Sequence, residues 1–283
     1  MKKAQRIIKK YSGDLEPYSR NKLLKSLEKT GALIDLREDI ADIVEGKFEK
    51  EMSTKNIHQI AFNHLKKISS LFASRYNLKR AIFELGPTGY PFEILIAKIF
   101  EKRGYKTKVG EVMRGACVNH EVDIFAEKEN NYFIIETKFH LKQGIQSNVK
   151  VPLYVKARGD DIIKKLRENP QNRDKLYQIG LATNTKFSSE AIKYGKCVGI
   201  EMLGWHYPNE NGLESIMEEF NLLPVTILIN LSHAQKNILL EKGFILTQDI
   251  LDKPDILETV GVKKEKILKI MNEINGLHEL HHL

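Results

Sequence analysis

Asp123 is followed thirteen residues later by Glu136-Thr137-Lys138, two carboxylates and a lysine whose spacing suits one kind of chemistry. Carboxylates brought close together repel unless a cation sits between them, and hard oxygen ligands suit Mg²⁺ or Mn²⁺. A metal held by Asp123, Glu136 and the Thr137 carbonyl would polarise a scissile phosphate and lower the pKa of a bound water. Lys138 would position that water and offset developing charge. A strand-borne Glu/Lys pair is equally what a solvated face looks like in a lysine-rich chain, so the spacing needs a structural setting.

HEVDIFAE (His120 to Glu127) and NYFIIETKFH (Asn131 to His140) read as strands joined by a polar turn, a β-hairpin. Alternation places Glu136 and Lys138 on one face and Phe133, Ile135, Thr137 and Phe139 on the other, and the right register sets Asp123 beside Glu136. Upstream, PFEILIAKIFEKRGY has the proline start and glycine stop (Gly104) of a helix. Glu93, Ile96, Ala97 and Phe100 recur at helical spacing, so Glu93 lies on or beside the packing stripe as a third acid. The alternative is a wet acid favoured by the helix dipole. His120 reads either as a proton shuttle or extra ligand, or as a polar surface residue. Downstream, Tyr177 to Phe187 reads as a strand, Ser188 or Ser189 as a helix cap, and Ile200 to Trp205 as a last strand. The order is that of an α/β sandwich with a mixed sheet.

Residues 90–207 resemble the Mrr-type branch of the PD-(D/E)XK nuclease superfamily, with FE on the first helix, VD on one strand and ExK on the next. The resemblance implies that Glu93, Asp123, Glu136 and Lys138 form the active site and that DNA is the substrate. Glu136 stands where Mrr-like chains usually carry Gln, which restores the wider superfamily pattern. His120 and Glu121 replace glycines. Some relatives guide nucleic acid with a Gln and a Tyr after the lysine, positions that Gln146 and Tyr154 match loosely.

The first 86 residues carry a separate signal. A Gly-Asp turn joins two short strands, Ser19 caps a helix from Arg20, and further helices follow, one capped by Ser53. The segment resembles an ATP-cone, a small nucleotide-binding regulatory domain, through Lys9, Lys10, Glu16, Tyr18, Lys22, Thr54, His58 and RYNLKRAIFELGP. The resemblance implies ATP or dATP as effector. One extra residue in the hairpin leaves both Lys9 and Lys10 as candidates for phosphate. Lysines and a helix N-terminus suit a triphosphate. The chain has no G-x-x-x-x-G-K loop, so P-loop hydrolysis is not expected.

The remaining residues, 209–283, read as short helices. LETVGVKKEKILKI resembles a helix-hairpin-helix but lacks its second glycine. Residues 1–86 hold 18 Lys+Arg against 11 Asp+Glu, 87–207 hold 20 against 14, and 208–283 hold 7 against 12. An acidic tail is a poor companion for phosphate, which favours packing or homo-oligomerisation there. His278, His281 and His282 read as a frayed end. The whole chain, at net charge +8, suits a polyanionic partner. Two cysteines, Cys117 and Cys197, and no long apolar run point to a reducing cytoplasm and away from membranes.

The expectation is therefore an α/β multidomain chain. Residues 1–86 form a small helical ATP-cone with a short β-hairpin, 87–208 a restriction-endonuclease-like domain with a central mixed sheet, and 209–283 a small all-α domain. The expected activity is Mg²⁺- or Mn²⁺-dependent DNA cleavage regulated by ATP or dATP. The alternative is a nucleotide-responsive DNA-binding regulator without cleavage.

Overall fold

The computed structural model describes residues 6–49 and 52–280, so His281 and His282 lie outside the described residues. The chain forms two compact units: Met1–Glu84 together with Val225–Leu283, and Leu85–Pro224.

In the first unit β1 (Ile7–Lys9) and β2 (Leu15–Pro17) pair antiparallel, with Ile8 opposite Glu16. Five helices follow: α1 (Arg20–Glu28), α2 (Ile34–Gly46), α3 (Thr54–Ile68), α4 (Ser70–Tyr76) and α5 (Leu78–Phe83). Serine hydroxyls start three of them. Ser19 accepts from the Lys22 amide, Ser53 forms a capping box with Asn56, and Ser69 accepts from the Phe72 amide. Leu23 and Leu27, Ile40 and Val44, and Ile57, Ala61 and Leu65 recur one turn apart on their helices and meet in one core.

The second unit is mixed α/β. Its elements are α6 (Tyr90–Lys102), β3 (Lys106–Arg114), β4 (Asn119–Lys128), β5 (Asn131–Lys138), β6 (Gln146–Ser147), α7 (Lys150–Arg167), β7 (Leu176–Thr183), β8 (Lys186–Phe187), α8 (Ser189–Cys197), β9 (Ile200–Leu203) and α9 (Leu213–Glu219). Five strands make one sheet in the order β3-β4-β5-β7-β9. The first three are antiparallel neighbours, whereas β5, β7 and β9 run parallel. Joining parallel neighbours requires a crossover. The basic segment after β5 supplies it as α7, a helix of 18 residues.

The faces follow from strand alternation. Phe133 meets Phe100 and Tyr105 edge-on beneath α6. Ile134, one residue on, packs with Val122 and with Ile162 of α7 on the opposite face. Val155, Ile179, Ala191 and Met202 extend that layer under α7 and α8. A Cβ at Gly159 would lie 2.4 Å from Ile179 Cδ1, so α7 can approach β7 this closely only with glycine at that point.

The last segment returns to the first unit as α10 (His233–Glu241), α11 (Thr247–Asp252), α12 (Ile256–Thr259) and α13 (Lys264–Glu279). Residues 209–224 instead stay with the sheet unit, because the Leu213 and Glu214 amides donate to the Gly204 and Trp205 carbonyls just past β9. Buried Glu273 on α13 accepts hydrogen bonds from Ser74 Oγ at 2.8 Å, the Ile229 amide at 2.8 Å and Asn230 Nδ2 at 2.6 Å. Thr226 Oγ1 donates to the Ala81 carbonyl at 2.7 Å, and buried Lys236 donates to the Thr226 carbonyl at 2.7 Å. The C-terminal helices are thus fastened to α4 and α5 by buried polar bonds.

Removing the Glu273 carboxylate strands several buried donors. Glu273→Ala should therefore lose about 3 kcal/mol or more in urea unfolding of the full chain, with Glu273→Gln in between. A loss below about 1 kcal/mol would mean that water replaces the carboxylate.

Candidate functional site

The β4–β5 register ends on the pair Ile124 and Ile135, one residue short of Asp123 on β4 and of Glu136 on β5. Beyond that pair the ladder gives way to side-chain bonding. Asp123 Oδ2 accepts from the Thr137 amide at 2.7 Å and from Thr137 Oγ1 at 3.1 Å, which fixes the carboxylate against its partner strand.

Glu136 is only 8% exposed. Its Oε2 accepts from Arg158 Nη1 at 2.7 Å, while its Oε1 is buried without a hydrogen-bond partner. Burial first, and then the charges of Asp123, Glu93 and Glu121, push its carboxyl up to about 8, against the opposing pull of Arg158.

Glu93 stands in the first turn of α6, which Gly89 begins and Pro91 supports. A Cβ at Gly89 would come within 3.3 Å of Glu93 Oε1. Half-buried, Glu93 is raised to about 7 by desolvation, then by Asp123 and Glu121. It is partly exposed at the start of α6, within the field of Asp123 and Glu121.

Lys138 is exposed at the end of β5, where its carbonyl accepts from Thr183 Oγ1 at 2.7 Å. Two residues on, the His140 amide donates to Asn184 Oδ1 at 2.9 Å and the His140 carbonyl accepts from Asn184 Nδ2 at 2.8 Å. The ends of β5 and β7 are thereby tied together under the lysine.

His120 does not join this group. Its Nε2 lies 2.8 Å from Asp161 Oδ2 on α7, and Asp161 also accepts from the Cys117 amide, so this cluster anchors the β3–β4 turn. Gln146 and Tyr154 are both exposed.

Arg158 is the residue that the strand motif does not reveal. It had a signal: Val155, Arg158, Gly159 and Ile162 recur at i, i+3, i+4 and i+7, which puts an arginine on the buried stripe of α7. A guanidinium on an apolar stripe requires a buried anion, and Glu136 is that anion.

Among the described residues no three His, Cys, Asp or Glu side chains converge as a ready-made metal cage. The oxygens on offer here are those of the Asp123 and Glu136 carboxylates. The unpartnered Glu136 Oε1 and the mutual repulsion of the acids fit a divalent cation bound beside Asp123.

In the first unit the Lys9 amide donates to the Met52 carbonyl at 3.1 Å, and Lys9 bridges Ser53, the cap of α3. Lys10 Nζ lies 2.5 Å and Lys22 Nζ 3.6 Å from Glu16 Oε2, and the two lysines hold the Glu16 carboxyl below its ordinary range. Thr54 Oγ1 is buried and has no hydrogen-bond partner. Lys9, Lys10, Glu16, Lys22 and Thr54 therefore gather around the hairpin and the start of α3. His58, one turn further, is stacked on Tyr76 at 4.7 Å with its Nε2 3.3 Å from the Tyr76 carbonyl, and burial lowers its pKa.

Comparison with known proteins gives relatives without an assigned activity. The family model described as AF1548-like, C-terminal, matches residues 223–278. An uncharacterized protein of Archaeoglobus fulgidus is 32% identical over 179 residues, which span 63% of this chain and 97% of that one. The crystal structure of AF1548, a protein of unknown function, is similar at 31% identity and a TM-score of 0.55, covering 66% of this chain and 97% of the other.

The raised carboxyl of Glu93 makes stability depend on pH. Between its ordinary value of 4.5 and about 7 the folded chain keeps a proton that the unfolded chain releases, so stability falls as pH rises through that window. Glu93→Gln removes this slope. In EDTA its melting temperature should gain on wild type from pH 4.5 to about 7 and hold that gain above. A difference independent of pH would show Glu93 to be fully solvated.

Proposed function

The chain belongs to the AF1548-like family, and we propose that it is a metal-dependent deoxyribonuclease regulated by ATP or dATP. The observation that carries the reading is the Glu136 carboxylate, buried with one oxygen unpartnered, near Asp123 on a β-hairpin and two residues before Lys138. The mixed sheet flanked by helices is consistent with a restriction-endonuclease-like domain, and the hairpin with its helices is consistent with an ATP-cone.

In this reading Asp123, Glu136 and the Thr137 carbonyl hold Mg²⁺ or Mn²⁺, which when bound supplies charge to a phosphodiester oxygen and acidifies a water. The protein's own groups do the rest. Thr137 keeps Asp123 in place through two hydrogen bonds. Exposed Lys138 orients the attacking water and meets the charge that grows on the phosphate. Glu93, poised near neutrality, exchanges a proton at its carboxyl oxygens. In the first unit Lys9, Lys10 and Lys22 offer cations to a triphosphate, and the Thr54 hydroxyl and the α3 amides add hydrogen bonds.

The regulator without cleavage draws its support from Arg158, which already gives Glu136 a counter-charge. Cleavage of plasmid and linear DNA with Mg²⁺, Mn²⁺ or EDTA separates the two. Wild type should cut only with metal, and Lys138→Ala should be slower by about 100-fold or more. ATP or dATP should change the wild-type rate and raise its melting temperature, a shift that Lys9, Lys10 and Lys22 replaced together by Ala should lose. A wild type that cuts no substrate would favour the regulator.

A further inference from the structure

We propose that Arg158 is the positioning residue of this site: it ties one oxygen of Glu136 to α7 so that the other is presented to the metal. The inference rests on the metal-site reading above and assigns a role to a residue outside the D…ExK motif.

Glu136 and Arg158 form an ion pair at 2.7 Å, and their side chains are only 10% and 14% exposed. The pair is single-pronged. Arg158 reaches Oε2 through Nη1 alone, whereas an arginine free to choose its geometry grips a carboxylate with two parallel bonds. The second Glu136 oxygen, Oε1, is left unbonded, and so is Arg158 Nε; both atoms are buried. Leaving a carboxylate oxygen and a guanidinium N–H unmade inside a protein is costly when a fork would satisfy both.

The backbone explains why no fork forms. Arg158 is held on α7 by its neighbours: its guanidinium lies over the Tyr154 ring at 5.2 Å, and Gly159 beside it pins the helix against Ile179. Glu136 is held by β5, which pairs at this residue with Leu181 of β7 and one residue earlier, at Ile135, with Ile124 of β4. Two rigid elements thus set the distance and angle at which the charges meet, and the pairing they permit leaves Oε1 available.

Such a group, which bonds a ligand without touching the metal, commonly governs affinity by about 10- to 100-fold. Here the electrostatic expectation has the opposite sign. Arg158 is positive, so deleting its charge alone would strengthen the pull of the acids on a divalent cation. The sign of the effect therefore separates positioning from charge balance.

The measurement is Mn²⁺ binding by the full-length protein, followed by titration calorimetry and by the loss of the free-ion paramagnetic resonance signal. Arg158→Met, which keeps length and drops charge, should weaken Mn²⁺ binding by about 10-fold or more, and Arg158→Lys should recover part of the loss. Unchanged or tighter binding by Arg158→Met would overturn the proposal. Should Arg158→Met fail to fold, Tyr154→Ala decides, since Tyr154 is exposed and supports Arg158 from its own helix. It should weaken Mn²⁺ binding several-fold, and unaltered affinity would again overturn the proposal. Wild type that binds no Mn²⁺, or binds it equally well as Asp123→Asn, would remove the metal site itself and Arg158's role with it. Wild type that binds while the Arg158 and Tyr154 variants match it would remove only the role of Arg158.

Discussion

Glu136 is a carboxylate withdrawn from water, near a second carboxylate and within the field of two more, and the arrangement of the sheet unit follows from keeping it there. An isolated ionised acid in that position would take up a proton or pull its strand open. Three features hold it. The central place of β5, between β4 and β7, denies the strand room to move. Arg158 on the crossover helix supplies a counter-charge. Thr137 turns Asp123 toward the backbone and bonds one of its oxygens. The repulsion that remains is visible in Glu93 and Glu136, both shifted to the neutral range. Such a site has an unmet demand for positive charge, which a divalent cation would meet.

The other unit uses a buried acid differently. Glu273 is as withdrawn as Glu136, yet its oxygens are occupied by a hydroxyl, two amides and an asparagine side chain. It fastens the C-terminal helices to the helices that follow the hairpin. The two glutamates differ in one respect: one is saturated with hydrogen bonds, the other keeps an oxygen free.

Much of this was legible in the residues. The strand from Asn131, which ends at Lys138 instead of His140, its hairpin with β4, the Ser19 and Ser53 caps and the Gly104 stop all follow from local rules of alternation, capping and positive φ. That Asp123 comes near Glu136 was legible because hairpin register is set by a short turn. What local rules do not reach is which elements share a core. The acidic tail reads as a module of its own, but Glu273 and Thr226 find partners on α4 and α5, 199 and 145 residues away in sequence. Arg158 was half legible: its place on the stripe of α7 is a matter of spacing, whereas the identity of its partner depends on how the crossover lies on the sheet. His58 suits a nucleotide base by type, yet its ring is already engaged by Tyr76, a contact made through tertiary packing of α3 on α4.

The claim on which the rest depends is that Asp123 and the free oxygen of Glu136 bind one divalent cation. Anomalous diffraction from crystals of the full chain soaked in Mn²⁺ tests it directly. The account predicts a single manganese peak in this unit, bound by Asp123 and by Glu136 Oε1, with Arg158 still on Oε2. A peak elsewhere in the unit, or none at a concentration that supports cleavage, would contradict it.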